Sequence, residues 1–500
     1  MIVVGAGSAG AVIAARVTER ADREALLIEA GPDYPDGRVP GDLLDGTRNS
    51  MGAHDWGHRY LPTPGQDTWP FPRGKVVGGS SAVNTCIALR GQPYDYDEWA
   101  ARGLPEWSWE KCRPAFLRLE DDRDFRDEHH GQGGPVPIRR HPRDELMPWQ
   151  GAFVDACGEL GFPACADHNG PAPEGVGPHP MNKITGERMS AARCYLGPEV
   201  RRRENLRIRP RTLVRRVLTR NGRVTGVEVE TNGRVEVIES ARVILSGGAI
   251  ATPGILLRSG IGPRDRVERL GVTLVSDVPA VGARLLDHPG AAVFFAPKTL
   301  QPVTGAPLIQ TMLRYTSRGS AYPNDMQLQA GSFISFPTVS LPGVALMCCV
   351  GKPKGFGTIE YTSADPHVGP KLDGRHLVDA EDRERAVEAM LLAYELTRER
   401  PMKGLIHYFW PLESTLRDKD KLRAWIWRSC GSGYHPCGTA PMGAEGDPAA
   451  AVDQHGRVRG VEGLFVADAS IMPTVPSSNT NLPTLMIGER FGEWLRDGVI

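Results

Sequence analysis

The chain has 500 residues, 40% hydrophobic and 24% charged, an ordinary globular composition with length for two or three domains and for cores that need no disulfide or metal staple. Lys+Arg 59 against Asp+Glu 60 leave almost no net charge, which excludes the broad basic field of a nucleic-acid binder. Nine cysteines, an odd number with no Cys-x-x-Cys pair, exclude a disulfide framework and a zinc site; no metal is expected, and the thiols fit a reducing, cytoplasmic setting. Gly 58 and Pro 42 show no period or low-complexity run, so they signal many tight loops rather than disorder. Arg far outnumbers Lys, which reads as the usage of a GC-rich bacterial genome.

In chain order the first elements are strand, turn, helix and strand. Ile2-Val3-Val4 ends a buried strand and Met1 brings no basic leader. Gly5-Ala6-Gly7-Ser8-Ala9-Gly10 is a G-x-G-x-x-G turn, Ala11 to Val17 is helical, and Ala25-Leu26-Leu27-Ile28 is a second buried strand closed by Glu29. Gly5 permits the turn, Gly7 lets backbone approach a pyrophosphate, and Gly10 lets the helix pack on the strand. The helix N-terminus then offers free N–H groups to phosphate. Glu29 falls near the spacing, roughly 20 residues, at which an acidic side chain reaches a ribose hydroxyl. This predicts a dinucleotide site without choosing between NAD and FAD.

A second small-residue run spans Arg73-Gly74-Lys75-Val76-Val77-Gly78-Gly79-Ser80-Ser81-Ala82-Val83-Asn84. It reads either as a tight loop or as a close backbone approach to another part of a large ligand, such as a flavin ring, with Asn84 supplying amide hydrogen bonds. Val243-Ile244-Leu245-Ser246-Gly247-Gly248 repeats the strand-and-glycine pattern far along the chain, before a helix with Pro253 near its first turn. A nucleotide domain rebuilt from such distant parts implies an insertion between them. Glu120 to Arg140, charged and then Gly-rich, reads as a flap near the site or as a surface loop, with His129-His130 solvated. His288, between Asp287 and Pro289, reads as a structural turn residue. The uncharged stretch Ser332 to Gly351 carries too much Ser, Pro and Gly for a membrane span; its end, Val344 to Val350, reads as a buried strand.

His435 differs from the other histidines. It sits among small residues in Gly433-Tyr434-His435-Pro436-Cys437-Gly438. Downstream, Ser477-Ser478-Asn479-Thr480-Asn481-Leu482-Pro483-Thr484 places amides and hydroxyls before an amphipathic helix, Leu485 to Leu495; helix capping is the alternative role for Asn481 and Thr484.

Four ordered blocks, Gly5 to Gly10 with Glu29-Ala30-Gly31, Gly74 to Arg90, Gly248 to Pro263, and Gly433 to Arg490, resemble the glucose–methanol–choline (GMC) flavoprotein oxidoreductases over nearly the whole chain. The resemblance implies an α/β fold. A Rossmann-like FAD-binding domain would comprise residues 1–110, 190–290 and 430–500, and a discontinuous substrate domain of antiparallel sheet and helices residues 111–189 and 291–429. It implies FAD held by Gly5, Gly7, Ser8, Ala9, Gly10, Glu29, Ala30, Arg73, Val77, Gly79, Ser80, Asn84, Val214, Asp468, Ala469, Thr480 and Asn481. Among these Val214 would hold adenine through its backbone, and Asp468-Ala469-Ser470 would be a flavin-contacting turn. His435 falls on the first active-site position of the family, Asn479 on the second, and Tyr434 on a substrate-lining aromatic. Val83 stands where some members tether FAD through a His, so non-covalent FAD is expected. Only four residues precede Gly5, where relatives carry a longer strand.

The activity so implied is oxidation of an alcohol to an aldehyde or ketone. His435, a neutral imidazole, takes the hydroxyl proton, Asn479 hydrogen-bonds the same oxygen, and flavin N5 takes the hydride. Electrons would pass on to O2 or another acceptor. Two alternatives stay open: a flavin-bearing lyase or decarboxylase on the same fold, and a non-catalytic flavin or electron-transfer module.

Overall fold

A computed structural model describes residues 1–35, 37–299, 305–335 and 340–500, the side chains of 335 and 340 excepted. Short apolar runs form a parallel sheet from segments spread over the whole chain. They are β1 (Ile2–Val4), followed by helix α1 (Ser8–Val17), β2 (Ala25–Ile28), β3 (Leu206–Arg209), β4 (Val243–Leu245), followed by helix α2 (Gly248–Arg258), and β5 (Leu464–Val466). The order is β3-β2-β1-β4-β5, with Val4 level with Ile28 and Leu245. Parallel strands buried on both faces read as continuous apolar runs, as these do. Their C-terminal ends share one edge, the edge where open α/β sheets bind ligands. Gly5, Glu29 and Ser246 follow directly there.

The closing helix α3 (Asn481–Asp497) lies along α1 at very short range. A Cβ on Gly488 would come within 2.8 Å of Val12 Cβ, and one on Gly492 within 2.7 Å of Arg16 Cβ. Glu489, fully buried, accepts from the Arg16 guanidinium, from Arg118 Nε at 3.1 Å and from Tyr195 OH at 2.6 Å.

A second sheet is antiparallel, in the order Ile406–Trp410, Pro289–Pro297, Val344–Val350, Met326–Gly331, Ile309–Tyr315 and Gly175–Pro178. The short strand Gly431–Ser432 also pairs with Pro289–Pro297. Helices Pro148–Glu159 and Ala380–Leu396 cover this sheet and share its core. Val344–Val350 is the expected strand; residues 336–339 of the uncharged stretch lie outside the described residues. No described helix is long and apolar enough to cross a membrane.

The segment Glu120 to Arg140 is exposed or half-buried over much of its length, as the surface-loop alternative expects, but its ends are anchored in the interior. It is pinned by buried ion pairs, Arg90 with Glu120, Arg140 with Asp122 and Asp167, and His130 with Asp167 at 2.9 Å; the exposed Asp127 holds the other His130 nitrogen at 2.6 Å. His130 is therefore buried, not solvated. Ligand-type atoms of Glu120, Asp122 and His130 lie within 4.8 Å of one another, but two guanidiniums already neutralise the carboxylates.

Candidate active site

One cavity is bordered by the ends of β1, β2 and β4, by the turn Gly79–Ala82, and by Tyr434, His435 and Asn479. Its floor depends on missing side chains. Gly5 has φ +96°, and a Cβ there would lie 2.4 Å from the Ser246 carbonyl oxygen; one on Gly10 would lie 1.9 Å from the Gly5 oxygen. Gly79 touches the first turn directly, since its Cβ would fall 2.7 Å from Gly7 Cα. The two Gly-rich segments thus meet backbone to backbone, which neither motif reveals alone.

Most of the residues that the family resemblance assigned to the cofactor converge here. Gly5, Gly7, Ser8, Ala9, Glu29, Ala30, Arg73, Gly79, Ser80, Asn84, Val214, Asp468, Ala469, Thr480 and Asn481 line the cavity, as do Val83 and Thr484. Val77 does not: its side chain joins the apolar core and its N–H donates to the Pro32 carbonyl at 2.9 Å. Gly10 also stays behind the wall, where it permits the contact with Gly5. Glu29 accepts from the Ala6 and Gly31 amides at 3.0 and 2.8 Å, while burial pushes its carboxyl up to about 7. Asp468 accepts from Gly248 N at 2.8 Å and Thr252 Oγ1 at 2.6 Å, which fixes the start of α2. Asn481 and Thr484 do not cap α3. Ser8 Oγ donates to Asn481 Oδ1 at 2.8 Å, and Thr484 Oγ1 bonds back to the Thr480 carbonyl.

At His435 the sequence becomes a geometry. Gly433 leaves room for the ring, since a Cβ there would lie 2.9 Å from His435 Nδ1. Tyr434 takes φ +63°, a conformation costly for an aromatic residue, held by its N–H to Ser432 Oγ at 2.6 Å and by Arg73 Nη2 to its carbonyl at 2.9 Å. The His435 N–H donates to Asp287 Oδ1 at 2.8 Å. Its ring stands between two partners: Asn479 Nδ2 lies 2.9 Å from Nε2, and His288 Nδ1 lies 2.9 Å from Nδ1. Burial, the neighbouring His288 and Arg73 hold the imidazole pKa well below the ordinary histidine range. His288, read from sequence as a turn residue, is thus a direct partner of His435. Its signal, an Asp-His pair opening a strand, points to no site until the chain is folded.

The donor set fits a dinucleotide carrying a second ring system. The helix N-terminus at Ser8 faces the cavity with no acidic residue in its first turn, as a pyrophosphate requires. Two cavity-lining amides keep a buried atom without a protein partner, Asn479 Oδ1 and Asn481 Nδ2. Buried polar atoms are seldom left so unless a ligand or water completes them.

Comparison with known proteins agrees with this geometry. The family model described as GMC oxidoreductase matches residues 1–290 and, in its C-terminal part, residues 353–488. The chain is 35% identical to a 5-(hydroxymethyl)furfural oxidase of a Methylovorus species, over 98% of this chain and 97% of that one. It is 32% identical to an oxygen-dependent choline dehydrogenase of Photobacterium profundum, over 98% and 91%. Among solved structures, pyridoxine 4-oxidase from Mesorbium loti superposes with a TM-score of 0.91 at 30% identity, covering 98% of both chains. Formate oxidase of Aspergillus oryzae, in a study of FAD modification, shares the fold at 22% identity, with a TM-score of 0.89 and coverage of 99% and 98%. A parallel dinucleotide-binding sheet, an antiparallel partner sheet and family matches to both ends of the chain lead to one conclusion: the chain belongs to the GMC oxidoreductases, and its cofactor is FAD.

Proposed function

We propose that this oxidoreductase converts an alcohol to an aldehyde or ketone, with His435 as the base and Asn479 as the second group on the substrate oxygen. The observation that carries the reading is the pair itself: Nε2 and Nδ2 lie 2.9 Å apart on the wall of the FAD cavity. Bound FAD supplies the acceptor for the hydride that leaves the carbinol carbon. His435, held neutral by burial, accepts the hydroxyl proton at Nε2. Asn479 Nδ2 donates to the oxygen and does not titrate, so it steadies the developing charge at any working pH. Tyr434 and the segment around Arg73 border the same cavity. The cofactor is held non-covalently in this reading, since Val83 lines the cavity and cannot form the histidyl link.

The wall favours an aromatic or furanic alcohol over a cationic one. Trp56, His58 and Tyr434 line the cavity, and burial takes His58 down to about 4, so it is neutral. Arg73, also lining, donates its guanidinium to the Pro72 and Tyr434 carbonyls. The lining carboxylates, Glu29 and Asp468, are already bound to backbone amides. An ammonium head group would find no free counter-charge there. The relatives acting on hydroxymethylfurfural and pyridoxine support the same choice. Anaerobic mixing with an alcohol panel tests it. Hydroxymethylfurfural, pyridoxine or benzyl alcohol should bleach the flavin at least about tenfold faster than choline. A choline-led ranking would overturn the substrate class, and no bleaching by any alcohol would favour the lyase reading.

A further inference from the structure

We infer that His288 is a positioning residue that fixes which nitrogen of His435 carries the proton, leaving Nε2 bare toward the cavity. This role rests on His435 acting as the base, as proposed above, and two carbonyls set it. His288 Nε2 lies 3.0 Å from the Gly351 oxygen and 2.9 Å from the Pro476 oxygen. A carbonyl oxygen has no hydrogen to give, so Nε2 must be the N–H. A neutral imidazole with a proton on Nε2 has none on Nδ1. His288 Nδ1 is therefore an acceptor, and its partner 2.9 Å away, His435 Nδ1, must donate. The rings meet edge-on, with planes at 79° and centroids 5.0 Å apart. The proton of neutral His435 is then committed to Nδ1, and Nε2 keeps its lone pair. Asn479 Nδ2, a donor, lies 2.9 Å from that nitrogen and continues the chain in one polarity; an alcohol entering the site takes over both ends of this bond, its hydroxyl donating to Nε2 and its oxygen accepting from Nδ2.

The surroundings hold this chain in place. His288 is fully enclosed, and burial keeps its ring neutral. The charged and titratable groups around the two rings are Asp287, Asp95, Arg73, Tyr434 and His376. Asp287 gives its carboxylate to the backbone N–H groups of His288 and His435, each at 2.8 Å, and to the Ser432 hydroxyl, not to either ring. No carboxylate therefore orients His435, as the buried acid does in a Ser-His-Asp triad; a second imidazole tied to two carbonyls does so instead. The ladder between Pro289 and Ser432 and the bond from Gly433 N to the His288 oxygen at 2.8 Å lock the two segments in register.

The test reads the tautomer directly. In holoenzyme with 15N-labelled histidine imidazoles, His435 should show a protonated Nδ1 and a bare Nε2. His435→Ala assigns the signals. His288→Leu removes the acceptor; anaerobic flavin reduction should slow by about 10²-fold or more, within the range of general-base catalysis, and His435 should become a mixture of tautomers. His288→Asn restores an acceptor at the Nδ1 position and should recover to within about tenfold of wild type. A proton on Nε2 in the wild type would overturn the inference. So would a His288→Leu enzyme of near wild-type rate, or a His288→Asn enzyme as slow as His288→Leu at equal FAD content. If His288→Leu does not fold, the wild-type signals and His288→Asn decide. The wild-type tautomer is measured without substrate, so its failure is distinct from a failure of the alcohol-oxidation reading.

Discussion

Glu29 sits between two demands. Two backbone amides favour its charged form, yet burial dominates and raises the carboxyl to about 7 from an ordinary 4.5. Between those values the folded FAD-free protein holds a proton that the unfolded chain has released. The stability due to this group is then full below about pH 4.5 and is lost as pH rises through 7. Urea midpoints at pH 5 and pH 8 should therefore differ less for Glu29→Gln, which cannot ionise, than for wild type. Equal differences would show that the carboxylate is better solvated than its burial implies. The acidic residue after the second strand was legible in the sequence, because the motif demands one there. His288 was not, because its contact with His435 spans 147 residues, and no local pattern encodes it.

Among the elements, α1 and α3 show what short-range patterning captures and what it omits. The glycines of the first turn and the apolar face of the closing helix were readable. The helix was expected from Leu485 to Leu495 but spans Asn481–Asp497, because its first turn is held by Ser8 rather than by a cap of its own. The carboxylate between the helices was not readable. Glu489 gathers Arg16, Arg118 and Tyr195 with none of its side chain exposed. Glu489→Leu should cost about 3 kcal/mol in urea denaturation, as expected when one member of a buried ion network is removed, with FAD chemistry preserved in the folded fraction. A cost below about 1 kcal/mol would class it with surface pairs.

Over the whole molecule, the groups proposed for proton transfer and the residue proposed to position them lie where the two sheets join. His288 precedes the antiparallel strand Pro289–Pro297, His435 follows Gly431–Ser432, and Asn479 precedes α3. Lys352, just past Val344–Val350, bridges Asp95 and Glu98 at 2.9 and 2.8 Å, and Asp95 accepts in turn from Ser477 N at 2.9 Å. Three strands of the parallel sheet, β1, β2 and β4, were foreseeable, because apolar runs beside a glycine turn or a closing acidic residue announce them locally; β3 and β5 were not. The antiparallel sheet rested on family resemblance, since its pairings are set by long-range packing that alternation alone does not specify.

The central claim is that His435 is the proton acceptor, and the rate of anaerobic flavin reduction as a function of pH in His435→Ala tests it most directly. Wild-type enzyme should keep its rate down through the ordinary histidine range and lose it only in more acidic solution, where the depressed imidazole takes up a proton. The variant should bind FAD, reduce it about 10²–10⁴-fold more slowly, and lack that acidic inflection. A His435→Ala enzyme that reduces its flavin at near wild-type rate, with the inflection intact, would place the base on another residue and contradict the account.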